Sequence, residues 1–145
     1  MELTFYTGNN TLKNMYAYIP FEIEPQANIM KYDFQDIMFA PENNIMRSPN
    51  DDYVWIVAHK GDVAIGVLCF QIQYPHKMHY VSVHPKFQNE KVATSLVYTL
   101  FFICDLLHIN FIEITPYTQE GLVYLKRILY RMRIFFPSVN FAEYC

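Results

Sequence analysis

The chain has 145 residues, the size of one ordinary domain, and 52% of them are apolar, which excludes intrinsic disorder. Its net charge of −3 is uneven: residues 1–60 hold eight acids against four bases, whereas residues 61–145 hold seven bases against six acids. An acidic first half argues against nucleic-acid binding, which wants a basic surface, and suits attraction of a cationic amine or simply a solvated face.

In chain order, Glu2–Tyr6 alternates apolar and polar residues and predicts a strand, broken by Gly8-Asn9-Asn10. Thr11 is placed to cap a short helix through about Tyr18, before Pro20. Residues 20–26 read as a proline-bounded loop. Ile29, Met30, Phe34, Ile37 and Met38 recur at helical spacing and predict a helix over 27–39, followed by a polar connection from Pro41 to Asp52. Tyr53–His59 and Val63–Gln73 form a β-rich hairpin around Lys60-Gly61-Asp62. Lys77–Val83 is a further strand, with Met78, Tyr80 and Ser82 expected on one face and His79, Val81 and Val83 on the other. After a polar loop, Val92, Leu96, Val97, Leu100, Phe101, Cys104 and Leu107 mark a strong helix. Phe111–Thr115 is a short strand. Thr118 or Gln119 opens a second strong helix, with Leu122, Leu125, Ile128 and Leu129 on its apolar side. The tail from Ile134 to Tyr144 reads as a strand, a turn at Pro137 and another strand. This order predicts an α/β (α+β) fold with a mixed sheet, antiparallel first and then with a parallel crossover.

The N-terminus MELTFYTGNN has neither a basic nor an apolar leader segment, so no signal peptide is expected. The longest apolar stretch, Ala93 to Cys104, is too short for a membrane span of roughly 20 residues. Cys69, Cys104 and Cys145 show neither disulfide nor zinc spacing, and the histidines His59, His76 and His108 show no ligand spacing, so no metal is expected. A reducing, cytoplasmic compartment suits that cysteine usage. G-x-S-x-G, H-E-x-x-H and G-x-x-x-x-G-K-[ST] are all missing, and four glycines cannot build a glycine-rich nucleotide fold.

The most informative stretch is Tyr80–Leu96, where a strand runs through a polar loop directly into a helix. A helix start exposes unpaired N–H groups and a positive dipole end, which together form a phosphate site. The donors expected here are the amides from Asn89 to Thr94, with Lys91 adding charge. An ordinary strand-to-helix connection has the same grammar.

Val83-His84-Pro85-Lys86-Phe87-Gln88-Asn89-Glu90-Lys91-Val92-Ala93 resembles the signature of the GNAT acetyl-CoA-dependent N-acetyltransferases, V-x-P-x-aromatic followed by Q/R-x-x-G-x-G/A. Thr118–Leu129 resembles the helix of that family ending in A-x-x-(L/F)-Y-x-K-x-G-F, with Tyr124 and Lys126 in register. The resemblance implies one GNAT-like domain over residues 1–145, whose sheet contains a splayed strand pair. It implies a coenzyme A thioester, acetyl-CoA, as acyl donor, and it implies that Gln88, Asn89, Glu90, Lys91, Val92, Ala93 and Thr94 wrap the pyrophosphate. Val81, Ser82 and Val83 would pair with the pantetheine arm by strand addition. Tyr124 would protonate the leaving thiolate. A surface tyrosine is the plainer reading of that residue.

The amine acceptor must lose a proton. Glu113, mid-strand between Ile112 and Ile114, is the leading base candidate, and a cross-strand ion pair is its equal alternative. His79, on the strand meeting the thioester, is the second candidate. Acids at 33, 36, 42, 51 and 52 would orient a cationic acceptor, whether peptide, polyamine or small amine. Neither nucleic acid nor membrane is an expected partner.

Two departures stand out. The central motif glycine is Lys91; if its backbone takes positive φ, a lysine there costs about 1–2 kcal/mol. The closing Gly-Phe is replaced by Leu129-Tyr130 or Ile128-Leu129. They motivate a rival reading: a GNAT-like scaffold without catalysis, binding a partner protein through Phe135, Phe136, Phe141 and Tyr144.

Overall fold

A computed structural model describes residues 1–7, 22–34, 37, 53–72, 74–88, 91–114 and 119–143. The expected helix at Thr11–Tyr18 and the connection Pro41–Asp52 lie outside them. Among the described residues seven strands form one sheet: β1 (Glu2–Thr7), β2 (Glu22–Pro25), β3 (Tyr53–Lys60), β4 (Val63–Gln71), β5 (Lys77–Val83), β6 (Phe111–Ile114) and β7 (Asn140–Glu143). Their spatial order is β2-β1-β3-β4-β5-β6-β7. β1, β3, β4 and β5 are antiparallel neighbours, while β2 on β1, β6 on β5 and β7 on β6 are parallel. The fold is thus mixed α/β, as the order of elements predicts. Helix α1 (Val92–Leu106) connects β5 to β6, and α2 (Gln119–Phe135) lies between β6 and β7.

Alternation along the central strands gives each face its own core. Val54, Ile56, Ala58, Leu68 and Phe70 bury against Leu96, Leu100 and Phe101 of α1 and Leu125, Ile128 and Leu129 of α2. Tyr6, Trp55, Val57, Val67 and Cys69 face the other way, against Ile29, Tyr32, Phe34 and Ile37. The hairpin turn is closed by Gly61 at φ +59°, a conformation that costs glycine nothing. Cys69 and Cys104 are buried free thiols, and burial pushes both well above the ordinary thiol range. No helix among the described residues is long and apolar enough to cross a membrane.

Four expectations need correction. Within the stretch 20–26, read as a loop, Glu22–Pro25 is a strand parallel to β1. Within 27–39, read as a helix, the described residues form a 3-10 turn, Gln26–Lys31, and then leave helical geometry. There Asp33 bridges to Val63: its N–H donates to Asp62 O (2.9 Å) and its carbonyl accepts from Ala64 N–H (3.0 Å). Those sheet bonds take the groups a longer helix would have used, and Ile29, Phe34 and Ile37 are buried although the helical turn stops at Lys31. Ile134 and Phe135 end α2 and do not begin a strand, because the turn comes only at Pro137. Finally, Phe136 and Phe141 of the proposed partner-binding aromatics are core residues.

Candidate functional site

The site begins at the carboxyl end of the β5–β6 pair. Their register pairs Lys77 with Glu113 and Met78 with Ile114, and β5 then runs on through Val83 past the end of β6. His84 N–H donates to Ile65 O of β4 (2.8 Å). An extended strand turns successive peptide groups to opposite sides. Ser82 therefore shares the β4 side with His84, while Val81 and Val83 direct N–H and C=O toward the β6 side. Of the three residues expected to supply the strand edge, Val81 and Val83 turn their main chain away from β4. Ser82 is buried with its main chain turned to β4.

At the carboxyl end of β5, Pro85–Phe87 makes a 3-10 turn whose start is capped by His84: Lys86 N–H donates to its Nδ1 (3.1 Å). Phe87 is half-buried on the core and carries Lys60 Nζ over its ring at 4.8 Å. Gln88 is exposed just beyond; Asn89 and Glu90 lie outside the described residues. Lys91 follows as the N-cap of α1, at φ 61° and ψ 24°. The lysine thus adopts the left-handed conformation that the motif's glycine would adopt freely, at a cost of about 1–2 kcal/mol.

Lys91 O accepts from Ser95 N–H (3.0 Å) and from Ser95 Oγ (3.1 Å), the first main-chain bond of the helix. The N–H groups of Val92, Ala93 and Thr94 precede that bond and have no intrahelical acceptor. They form the positive end of a 15-residue helix. Val92 is buried and anchors this end. Gly66 of β4 lies beneath it, where a methyl group would stand 2.7 Å from Val92 Cγ1 and 3.1 Å from Leu96 Cδ1. The close seating of α1 on the sheet rests on that glycine.

The face opposite α1 and α2 carries a polar row. Register aligns Tyr53, Gln71, Lys77 and Glu113 on β3, β4, β5 and β6. Glu113 is opposite in facing to its buried neighbours Ile112 and Ile114, and its Oε2 stands 3.7 Å from Lys77 Nζ. The cross-strand ion pair weighed for Glu113 is therefore present. A register shift between Cys69 and Phe70 makes His79 the extra residue of a bulge in β5. It corrects the expected alternation: Met78 joins Val81 and Val83 on the helix side, whereas Tyr80 turns to the opposite core. His79 Nε2–H donates to Gln71 Oε1 (3.3 Å), and Gln71 Nε2 donates to Pro75 O (2.9 Å), which orients the amide. The His79 ring meets Tyr53 edge-on at 5.3 Å. Burial, and then the nearby Lys77 charge, hold its imidazole below the ordinary histidine range.

His79 and Glu113 thus share one neighbour, Lys77. Sequence reasoning passed over Lys77, Gln71 and Tyr53; a bulge that re-aims His79 toward them has no signal in the alternation of KMHYVSV.

Tyr124 lies in the second turn of α2, 61% exposed, with Leu125 beside it turned into the core. Both helices start beyond the carboxyl ends of the parallel pair β5 and β6, the end where open α/β sheets bind ligands. Among the described residues no three His, Cys, Asp or Glu side chains cluster as metal ligands. Of the acids expected to attract a cation, Asp33 is exposed beside the β3–β4 turn; those at 36, 42, 51 and 52 lie outside the described residues.

The fold has solved counterparts. The ribosomal-protein-S18-alanine N-acetyltransferase from Escherichia coli superposes with a TM-score of 0.57 at 11% identity, over 88% of this chain and 76% of that one. Tetrahymena GCN5 gives a TM-score of 0.57 at 18% identity, over 88% and 78%. An aminoglycoside N-acetyltransferase solved in complex with CoA gives 0.50 at 13% identity, over 89% and 88%. At these identities the likeness speaks for the fold. No curated protein matches the sequence. The model of the acetyltransferase (GNAT) family matches residues 15–121, which take in β2 to β6, all of α1 with its left-handed cap and the first residues of α2, and the chain belongs to that family.

Proposed function

We propose that this chain, acting as one domain over residues 1–145, transfers an acetyl group from acetyl-CoA to a primary amine by direct attack. The observation that carries the reading is that β5 runs on through Val83 beyond Ile114, the end of β6, beside the helix-start amides of α1. The fit to a coenzyme A thioester is physical. A diphosphate suits the N–H groups of Val92, Ala93 and Thr94, with the Lys91 ammonium adding positive charge. An amide-bearing arm suits the outward N–H and C=O of Val81 and Val83. The bound thioester supplies the activated acyl group.

The protein's own contributions follow. Outward amides of β5 polarise the carbonyl under attack. Glu113, or His79 held neutral by its surroundings, takes the proton that the incoming ammonium must lose. Tyr124 gives a proton to the departing thiolate. Holding two substrates side by side supplies much of the acceleration. The acceptor is a peptide or protein amine, a polyamine or a small amine, favoured by the acidic first half of the chain.

Calorimetric titration with acetyl-CoA tests the reading. Saturable binding is expected. No heat and no thermal stabilisation at millimolar ligand would replace it with the partner-binding reading, for which the exposed Phe135 and Tyr98, in ring contact at 6.1 Å, are the favouring feature.

A further inference from the structure

The face on which an acceptor amine would sit already carries an amine. Lys77 is the first residue of β5, one position before Met78–Ile114, the last β5–β6 pair among the described residues. Its side chain is 37% exposed, and its Nζ lies 3.7 Å from Glu113 Oε2. The remainder of its row is uncharged, Gln71 and Tyr53. A lysine stem of four carbons lets the amine sweep several ångströms around its attachment point, which here lies one residue from the carboxyl end of the β5–β6 ladder. Lys77 thus has what an acceptor requires: a primary amine, a carboxylate beside it to take a proton, and a place next to the proposed thioester site.

Building on the function proposed above, we propose that Lys77 is a self-acetylation site, modified by the chain's own active site when no external amine is present. The Lys77 ammonium passes one proton to the Glu113 carboxylate. The neutral Nζ attacks the thioester carbonyl, a C–N bond forms and the C–S bond breaks. The second nitrogen proton goes to the departing sulfur, so that coenzyme A leaves as the free thiol, and Glu113 releases its proton to water. The products are one acetamide on Lys77, one thiol and one proton.

The test is incubation of the full chain with acetyl-CoA alone, followed by peptide mass mapping over time. Because proximity raises effective concentration by orders of magnitude, Lys77 is expected to gain an acetyl group at least about tenfold faster than the exposed Lys86. The rate constant should be independent of protein concentration. Glu113→Gln should slow modification at Lys77 and leave Lys86 unchanged, and heat-unfolded chain should lose the preference. Lys77 modified no faster than Lys86, or modified at a rate second order in protein, overturns the proposal if calorimetry shows acetyl-CoA bound. Absence of binding overturns the function reading itself, and this inference with it.

Discussion

β3 and β4 pair from Tyr53–Gln71 to Lys60–Val63, so their polar main-chain groups are consumed by each other. β5 and β6, by contrast, pair at Lys77–Glu113 and Met78–Ile114, and β5 then continues with the peptide groups of Val81 and Val83 turned to the open side. The first pair is scaffold: burial on both faces, a two-residue turn and a ladder that runs the length of both strands, with one register shift between Ala58 and His59. In the second, β5 outruns β6, and the proposed thioester would pair with the part of β5 that extends beyond Ile114. One sheet thus holds a closed region and an open one, and the two should respond differently to mutation. Changes at the opening should cost chemistry; changes in the hairpin should cost folding.

Tyr124→Phe should separate them most sharply. The side chain is 61% exposed, so losing its hydroxyl leaves packing intact. Removing a general acid costs on the order of 100-fold or more in turnover. Steady-state kinetics with acetyl-CoA and a panel of amines, beside a melting curve, provides the check: turnover should collapse while the transition temperature holds. Equal turnover in the variant would remove Tyr124 from the mechanism.

Gly66→Ala crosses the boundary between the regions. The added methyl group meets Val92 Cγ1 at 2.7 Å, and overpacking of this kind costs about 1–3 kcal/mol. The strain falls on the first turn of α1, so stability and acetyl-CoA affinity should fall together. Trimming the opposing side chain in Gly66→Ala/Val92→Ala should restore part of both, which a double-mutant cycle measures. Additive losses would mean that the helix start is not seated by this contact.

A smaller effect concerns pH. His79 is held below the ordinary histidine value of 6.5, chiefly by burial and then by Lys77. The folded state therefore binds this proton less readily than the unfolded chain. The associated stability is complete above the unfolded value and declines as pH falls below it toward the folded one. His79→Gln should flatten the decline in transition temperature on acidification. If His79 rather than Glu113 is the base, the acidic limb of kcat/KM also lies below the histidine norm and disappears in this variant; a limb unchanged by His79→Gln assigns the role to Glu113.

The closed region was readable in advance and the open one only in outline. Tyr53–His59, the Gly61 turn and the stripe from Val92 to Cys104 follow local rules of alternation, turn chemistry and helical spacing, and the structure keeps them to within a residue or two. The family motif located the start of α1. What escaped depended on partners distant in sequence. Glu22–Pro25 becomes a strand because β1 offers it an edge. Residues 32–34 leave helical geometry because the β3–β4 turn offers Asp33 hydrogen bonds. The bulge at His79 exists only relative to β4. The polar row followed from that bulge, so Lys77 and Gln71 were invisible beside His79 until the register was known.

Lys91→Gly refines the comparison at its finest scale, because this residue belongs to both regions: it caps the helix that packs on the scaffold, and it fronts the opening. Its φ of 61° costs a lysine about 1–2 kcal/mol, which glycine avoids. Glycine in turn adds unfolded-state freedom worth about 0.4–1 kcal/mol, so a net gain below about 1 kcal/mol is expected in chemical denaturation. The same change removes an exposed ammonium beside the proposed diphosphate site, an interaction that salt screens. Acetyl-CoA affinity should therefore drop at low ionic strength and converge with that of the parent as salt is raised. If affinity instead rises at every salt concentration, the lysine obstructs the cradle more than its charge assists, and the residue that departs from the family motif weakens binding at this site.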